Sequence, residues 1–433
     1  MPRVVIASIH SAVHEGLRRA SSDTSNVPKM ATTSSSCAEG DNAGRISVGL
    51  SLSGGGSRAI AFHLGCLRAL HSLGVLSKVG VLSTISGGSV IGAYYAYTPQ
   101  KTFEEFESDI QRFLQEGFQS AISLELLKPH NLVPSLASFV VAQAQEVAAR
   151  VSNGRFRPVL PRFLSRTDMF RKVLTRKLFP GRTLSSTRRQ NLDVVIGACE
   201  LRLGEAFRFG NRCSGSWRLG TMVNGDVPVA FAVAASAAYP IFLPAFDRRW
   251  KFCLNGVETE KRVVLTDGGI YDNLGVQTLE PGRDSRFSLH NFPCENLVVC
   301  NAGLGQESGD AIPMGFLSRV QRSFEIIHRR VQDSTMKRLH HLKSSGLIRG
   351  FAMPYLGQQD AALPVKIEAL IPREDVVEYP TDFAAMPTEW IEKLSGRGEQ
   401  LTRALVKEYL SYLLEENTGA NKSPEATPGI SMQ

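Results

Sequence analysis

The sequence predicts an α/β fold: a mainly parallel central sheet with helices on both faces. Three observations point there. Short buried strand-like runs, among them Val48–Leu52, Val79–Leu82, Leu192–Ala198 and Leu297–Asn301, alternate with stretches of helical periodicity. Two of these strands end in glycine clusters that open directly into helices, and a further one, beginning at Arg262, ends in Asp267-Gly268-Gly269.

The first cluster is Ser53-Gly54-Gly55-Gly56-Ser57-Arg58, after which Ile60, Leu64, Leu67, Leu70 and Leu73 recur at helical spacing until Gly74. Glycine leaves backbone N–H groups free to turn toward an anion at the positive end of the following helix. The second cluster is Thr84-Ile85-Ser86-Gly87-Gly88-Ser89, leading into a helix of small residues from Ile91 to Tyr97. A right-handed crossover makes the two strands parallel neighbours and brings both turns to one carboxyl edge of the sheet.

Ser86 stands where a strand turns sharply into a helix, the position of a nucleophile elbow. The usual elbow reads Gly-x-Ser-x-Gly; here Thr84 takes the place of the first glycine and Gly88 is the last. A β-branched residue at 84 narrows the turn. Ser89 is the rival nucleophile, but Ile91 stands where its closing glycine belongs, and Ser53 and Ser57 belong to the glycine loop. A serine hydroxyl needs a base to take its proton and fixed donors for the oxyanion it creates.

Triple-glycine loop, serine elbow and Asp-Gly-Gly, in that order and each at a strand end, resemble the patatin-like phospholipase family. The resemblance covers roughly residues 46–300 and extends to Ala230–Pro244 and to Tyr379–Tyr409 with its Arg397-Gly398-Glu399. It implies a three-layer α/β/α sandwich and a Ser–Asp dyad without histidine: Ser86 as nucleophile and Asp267 as general base. The backbone N–H groups of Gly54, Gly55 and Gly56 would form the oxyanion hole, with Gly88, Gly268 and Gly269 shaping the turns and Asp272 and Asn273 supporting them. Arg58 suits either a substrate phosphate or a helix-fixing salt bridge. An aspartate beside the hydroxyl gains basicity from partial desolvation; the competing use of Asp267 is to cap its own turn. His290, His328, His340 and His341 follow Asp267 in chain order and could complete a triad, but one sits in a polar loop and three on a basic helix, so they read as surface residues. No cofactor or metal is called for.

At 433 residues, with 43% apolar and 21% charged side chains, the chain is long enough for a large folded domain and excludes global disorder. The net charge of +8 is unevenly placed: residues 150–189 hold twelve Lys or Arg against Asp168 alone. Such a run fits a solvated face, an anionic membrane or nucleic acid, though it lacks the aromatic interleaving of a nucleic-acid surface. Seven cysteines with no Cys-x-x-Cys pair favour free thiols and an intracellular, cytoplasmic protein.

The expected organisation is a disordered leader over 1–44, with Met30 as an alternative start, and a catalytic domain over 45–303. Within the latter, a helical, basic insertion over 119–190 would act as lid or membrane-docking segment. A helical region over 304–415 and a disordered tail over 416–433 complete it. No signal peptide or transmembrane helix is expected, because the longest apolar run, Val227–Phe246, is broken by Pro228, Pro240 and Pro244. The expected function is hydrolysis of carboxylic esters in phospholipids or glycerides, with peripheral contact to an anionic membrane; the alternative is an inactive lipid-binding module of the same fold.

Overall fold

β1 (Ile46–Leu52) climbs from the surface into the core and passes through Gly55 into α1 (Gly56–Ser72). The structure, a computed structural model, describes residues 46–152, 160–162, 164–223, 226–240, 242–305 and 314–415; the expectations for 1–44 and 416–433 lie outside the described residues. After Gly74 come β2 (Val79–Ile85), α2 (Gly87–Tyr97) and α3 (Phe103–Glu116), the last opened by a capping box between Thr102 and Glu105. α4 (Gln119–Leu127), α5 (Pro129–Val151) and α6 (Arg166–Lys177) follow before the chain returns to the sheet.

There it forms β3 (Asp193–Glu200), β4 (Glu205–Gly210), β5 (Ser214–Ser216) and β6 (Gly220–Met222), then α7 (Val229–Ser236), β7 (Phe246–Leu254), β8 (Val257–Asp267) and the short α8 (Gly269–Asp272). β9 (Cys294–Cys300), α9 (Phe316–Ser344), β10 (Gly350–Ala352), α10 (Glu374–Val377), α11 (Thr388–Tyr409) and α12 (Tyr412–Glu415) complete the order.

The sheet runs β10-β9-β1-β2-β3-β4-β5-β6-β7-β8. From β10 to β3 all neighbours are parallel, with Leu50 opposite Leu82 and Ser83 opposite Val195. Beyond β3 every pairing is antiparallel, and β8 returns to pair with β3, closing a ring of strands. The expectation of a mainly parallel sheet is therefore corrected: it describes one half. Linkers as short as 201–204, 211–213 and 217–219 leave no room for a crossover helix, so those strands can only be antiparallel neighbours.

α11 lies against α1, backbone close to backbone. A Cβ added at Gly65 would fall 1.7 Å from the Ser395 carbonyl oxygen, and one at Gly398 2.3 Å from that of Phe62. Beside Gly398, the fully buried Arg397 guanidinium donates to the carbonyls of Leu356, Ile371 and Gln358 and to Asp360 at 2.7–3.0 Å. Four backbone and side-chain oxygens thus compensate a charge withdrawn from water.

α7 is buried throughout, as the prolines around it suggested. Among the described residues one helix, α5, is long and apolar enough to cross a membrane by length and composition, and it is barely buried: Val133, Phe139, Val140 and Val147 all face solvent. Pro129 opens α5, where a proline is tolerated, and Pro134 lies inside it. Among the described residues, the cations expected to form a patch are largely paired. Arg176 and Lys128 meet Glu125, Lys177 meets Glu116, Arg150 meets Glu146, and Arg189 donates to the Tyr95 and Lys101 carbonyls while its guanidinium lies over the Tyr95 ring.

Cys66, Cys199, Cys253, Cys294 and Cys300 are free thiols. Cys213 is disulfide-bonded, which corrects the expectation of free thiols at that position.

Candidate active site

Ser86 is the single residue between β2 and α2, and the turn forces it to φ 52°. A non-glycine residue holds that backbone only when its surroundings compel it. Here Ser236 of α7 does so: its Oγ accepts the Ser86 N–H at 2.9 Å and bonds the Ser89 hydroxyl at 2.8 Å. Ser89 is thereby occupied as a brace. Thr84 does not spoil the turn, because its methyl fills the space over Gly92, where a Cβ would come within 2.5 Å of it.

The glycine loop closes on the elbow from the neighbouring strand. A Cβ at Gly54 would sit 3.1 Å from Ser86 Cβ, and one at Gly88 2.4 Å from the Leu52 carbonyl oxygen, so both residues must be glycine for β1 and α2 to meet. Gly55 and Gly56 have φ of 144° and 61°. The Gly54 N–H donates to the Asn273 carbonyl at 3.2 Å. That bond corrects the expectation of three free donors: Gly55 and Gly56 are the two left for an oxyanion.

Asp267 ends β8 at the point where that strand pairs with β3, opposite Ala198. Its N–H donates to the Ala238 carbonyl, and the next N–H, of Gly268, to the Ser236 carbonyl, so the chain leaving α7 ties elbow and aspartate together. The Ser86 hydroxyl and the Asp267 carboxylate line the same cavity, and the Gly269 N–H donates to Asp267 Oδ1 at 2.7 Å. Burial pushes this carboxyl up to about 6, against the opposing pull of nearby Ser86 and of the Gly269 N–H. Asp272 caps its own turn by accepting from the Gly275 and Gln277 N–H groups.

Ser86, Asp267 and the three loop glycines open into one cavity of about 460 Å³. Phe242, Leu304 and Phe324 give it apolar walls, and Arg58, His328 and Arg329 bring positive or polarisable groups. Arg58 is buried, and desolvation lowers it to about 10. Its Nε donates to the Ala302 carbonyl and Nη1 to that of Tyr379, so backbone oxygens, rather than a carboxylate, fix it at the cavity wall.

Two histidines differ from expectation. His328 is not a surface residue: it lines the cavity and its ring reaches the Gly269 backbone, while burial lowers its basicity. His290 is buried far from solvent, donates from Nε2 to the Cys213 carbonyl 3.0 Å away, and is pushed down to about 4 by burial. His340 and His341 are exposed, as expected.

Sequence reasoning missed Ser236 as the residue that braces the elbow. Its signal was its place in the otherwise apolar run from Val229 to Ala238. The described residues of 119–190 do not line the cavity; α9 does, through Phe324, Glu325, His328, Arg329 and Gln332.

A buried hydroxyl, a desolvated carboxylate and a glycine loop line one cavity here, and acyl transfer calls for a nucleophile, a base and fixed donors. No curated protein matches the chain. Among solved structures, human GIVD cytosolic phospholipase A2 is similar with 14% identity and a TM-score of 0.51, over 85% of this chain and 60% of that one. VipD from Legionella pneumophila has 14% identity and a TM-score of 0.34, over 86% of this chain and 67% of that one. The first likeness shows a shared fold, with this chain spanning about three fifths of the human protein; the second is too loose to add to it. The model of the family described as patatin-like phospholipase matches residues 50–279, over half the chain and the stretch that runs from the glycine loop through the elbow to Asp267, and the chain belongs to that family.

Proposed function

We propose that the chain is a serine acyl hydrolase of the phospholipase A type, releasing a fatty acid from a phospholipid or glyceride through an acyl-enzyme on Ser86. Asp267 takes the hydroxyl proton as Ser86 Oγ attacks the ester carbonyl. The N–H groups of Gly55 and Gly56 receive the oxyanion, at the start of α1 where the helix dipole favours negative charge. Collapse expels the alcohol, which recovers the proton from Asp267. Water then repeats the sequence against the acyl-enzyme, returning Ser86 and the carboxylate.

The observation that carries the reading is that the Ser86 hydroxyl and the buried Asp267 carboxylate line one part-apolar cavity together with the glycine loop. The carboxyl at about 6 suits the role: ionised near neutral pH, yet basic enough to accept a proton. A triad has less support, since Asp267 shares the cavity with the hydroxyl directly and the His328 ring is turned to the Gly269 backbone.

The reading includes an intracellular enzyme meeting lipid at an anionic membrane. α9 supports this best. Phe316, Val320, Ile327 and Val331 form one exposed stripe along it, up to 73% exposed at Phe316, beside the face that lines the cavity. Arg319, Arg322, Arg330 and Lys337 flank that stripe. The apolar, solvent-facing α5 supports a second contact within the expected docking segment. Fatty-acid release from mixed lipid vesicles tests the function: the parent should release acyl chains and Ser86→Ala should not. Equal vesicle binding by both without release from either would favour the lipid-binding module.

A further inference from the structure

We propose that His63 Nδ1, Cys66 Sγ and Cys300 Sγ form a site for one thiophilic d10 metal cation, Cu(I) or Zn(II). All three side chains are fully buried, and their ligand atoms lie within 4.8 Å of one another. A metal about 2.3 Å from sulfur and about 2.0 Å from nitrogen holds its ligands only slightly closer than that, within reach of small side-chain rotations. Two thiols with an imidazole are the soft donor set that selects these ions over Mg(II) or Ca(II).

The fold orients the donors. His63 and Cys66 are three residues apart on α1 and so share one face. Cys300 is the last residue of β9, opposite Leu52 of β1. The His63 ring is pinned from its other side: Nε2 lies 2.9 Å from the Ser53 carbonyl, to which it can only donate. Nδ1 must then carry a lone pair, as a metal-binding imidazole does when its second nitrogen is held by a carbonyl. That Nδ1 is buried and makes no hydrogen bond. Buried polar atoms of this kind call for a partner, and the two thiols are what surrounds it. Binding releases the two thiol protons and leaves a thiolate pair around the cation.

This site is separate from Ser86 and Asp267, and it stands whether or not the chain hydrolyses lipid. It lies directly beneath the glycine loop, since Ser53 bonds His63 through its carbonyl and the Cys300 carbonyl through its N–H. Three donors, with no fourth among the described residues, favour a trigonal ion, so Cu(I) is expected to bind more tightly than Zn(II).

The test is to express the full chain in copper- or zinc-supplemented medium, purify it without oxygen in a phosphine reductant, and measure metal per chain by elemental and native mass spectrometry. X-ray absorption gives the ligand shell. We expect close to one equivalent that survives desalting with a weak chelator, bound by two sulfurs and one nitrogen. Cys66→Ser and Cys300→Ser should each lose it, and Cys253→Ser should keep it. Folded parent protein with reduced thiols and substoichiometric copper and zinc would overturn the proposal, as would metal retained in the Cys66→Ser/Cys300→Ser double variant. Should those variants fail to fold, the parent's absorption spectrum still decides: a shell without two sulfurs refutes the site.

Discussion

The two halves of the sheet are built differently and contribute different parts of the site. The parallel half, β10 to β3, supplies turns that open into helices, and with them Ser86 and the glycine loop. The antiparallel ring, β3 to β8, supplies a strand end buried deeply enough to raise the Asp267 carboxyl to about 6. The Ser86 and Asp267 side chains therefore line one cavity at the seam where β3 belongs to both halves. Strand-to-helix turns make good anion sites, whereas a buried strand end makes a good base.

Removing one partner from either half should cost the most. Ser86→Ala and Asp267→Asn should each lower hydrolysis by roughly 10³-fold or more with the fold intact by circular dichroism, because neither has a substitute. If Asp267→Asn retained most activity, the ring's contribution would be structural only.

Backbone fit should separate the halves next. Gly88→Ala puts a methyl against the Leu52 carbonyl and should destabilise by ~2 kcal/mol or more, read by denaturant melts. Gly256→Ala, in the turn between β7 and β8, meets no atom within 4 Å; only its φ of 78° resists, so a loss of about 1 kcal/mol is expected. Equal losses would contradict a tightly fitted seam and a forgiving ring.

Acidity probes the same seam. A carboxyl raised from 3.8 to about 6 binds its proton more tightly in the folded chain. Its contribution to stability is therefore fully present below pH 4 and lost as pH rises through 6, the range in which activity should appear. Asp267→Asn should consequently raise stability at pH 8 by ~1–3 kcal/mol while abolishing activity, checked by parallel melts and assays. Ser236→Ala removes the brace between the halves and should lower kcat by about 10-fold with little change in KM. The smallest effect concerns the rim: Ile327→Glu should weaken sedimentation with anionic vesicles by a few-fold while leaving hydrolysis of a water-soluble ester unchanged.

The parallel half was legible because its signals are local. A glycine cluster after a short apolar run announces its own turn, and Asp267-Gly268-Gly269 does so too. Which strands pair is not local, and short linkers such as 211–213 are weak cues when the strands they join are only three residues long. β7 (FDRRWKFCL) escaped notice because its first residue, Phe246, ends an apolar run and the charged Asp247, Arg248 and Arg249 that follow break any strand-like alternation. Ser236 was silent because one hydroxyl in a small-residue helix reads as a packing residue. His328 was misread because the basic composition of α9 hides which of its faces turns toward the cavity, and His290 because a polar loop can still fold its histidine inward against Cys213.

Covalent labelling tests the central claim most directly. A fluorophosphonate probe should form one adduct, mapped by peptide mass spectrometry to Ser86, at a rate that climbs with pH around 6 and is lost in Asp267→Asn. An adduct on Ser89, or labelling of Ser86 at the same rate with and without the Asp267 carboxylate, would contradict it.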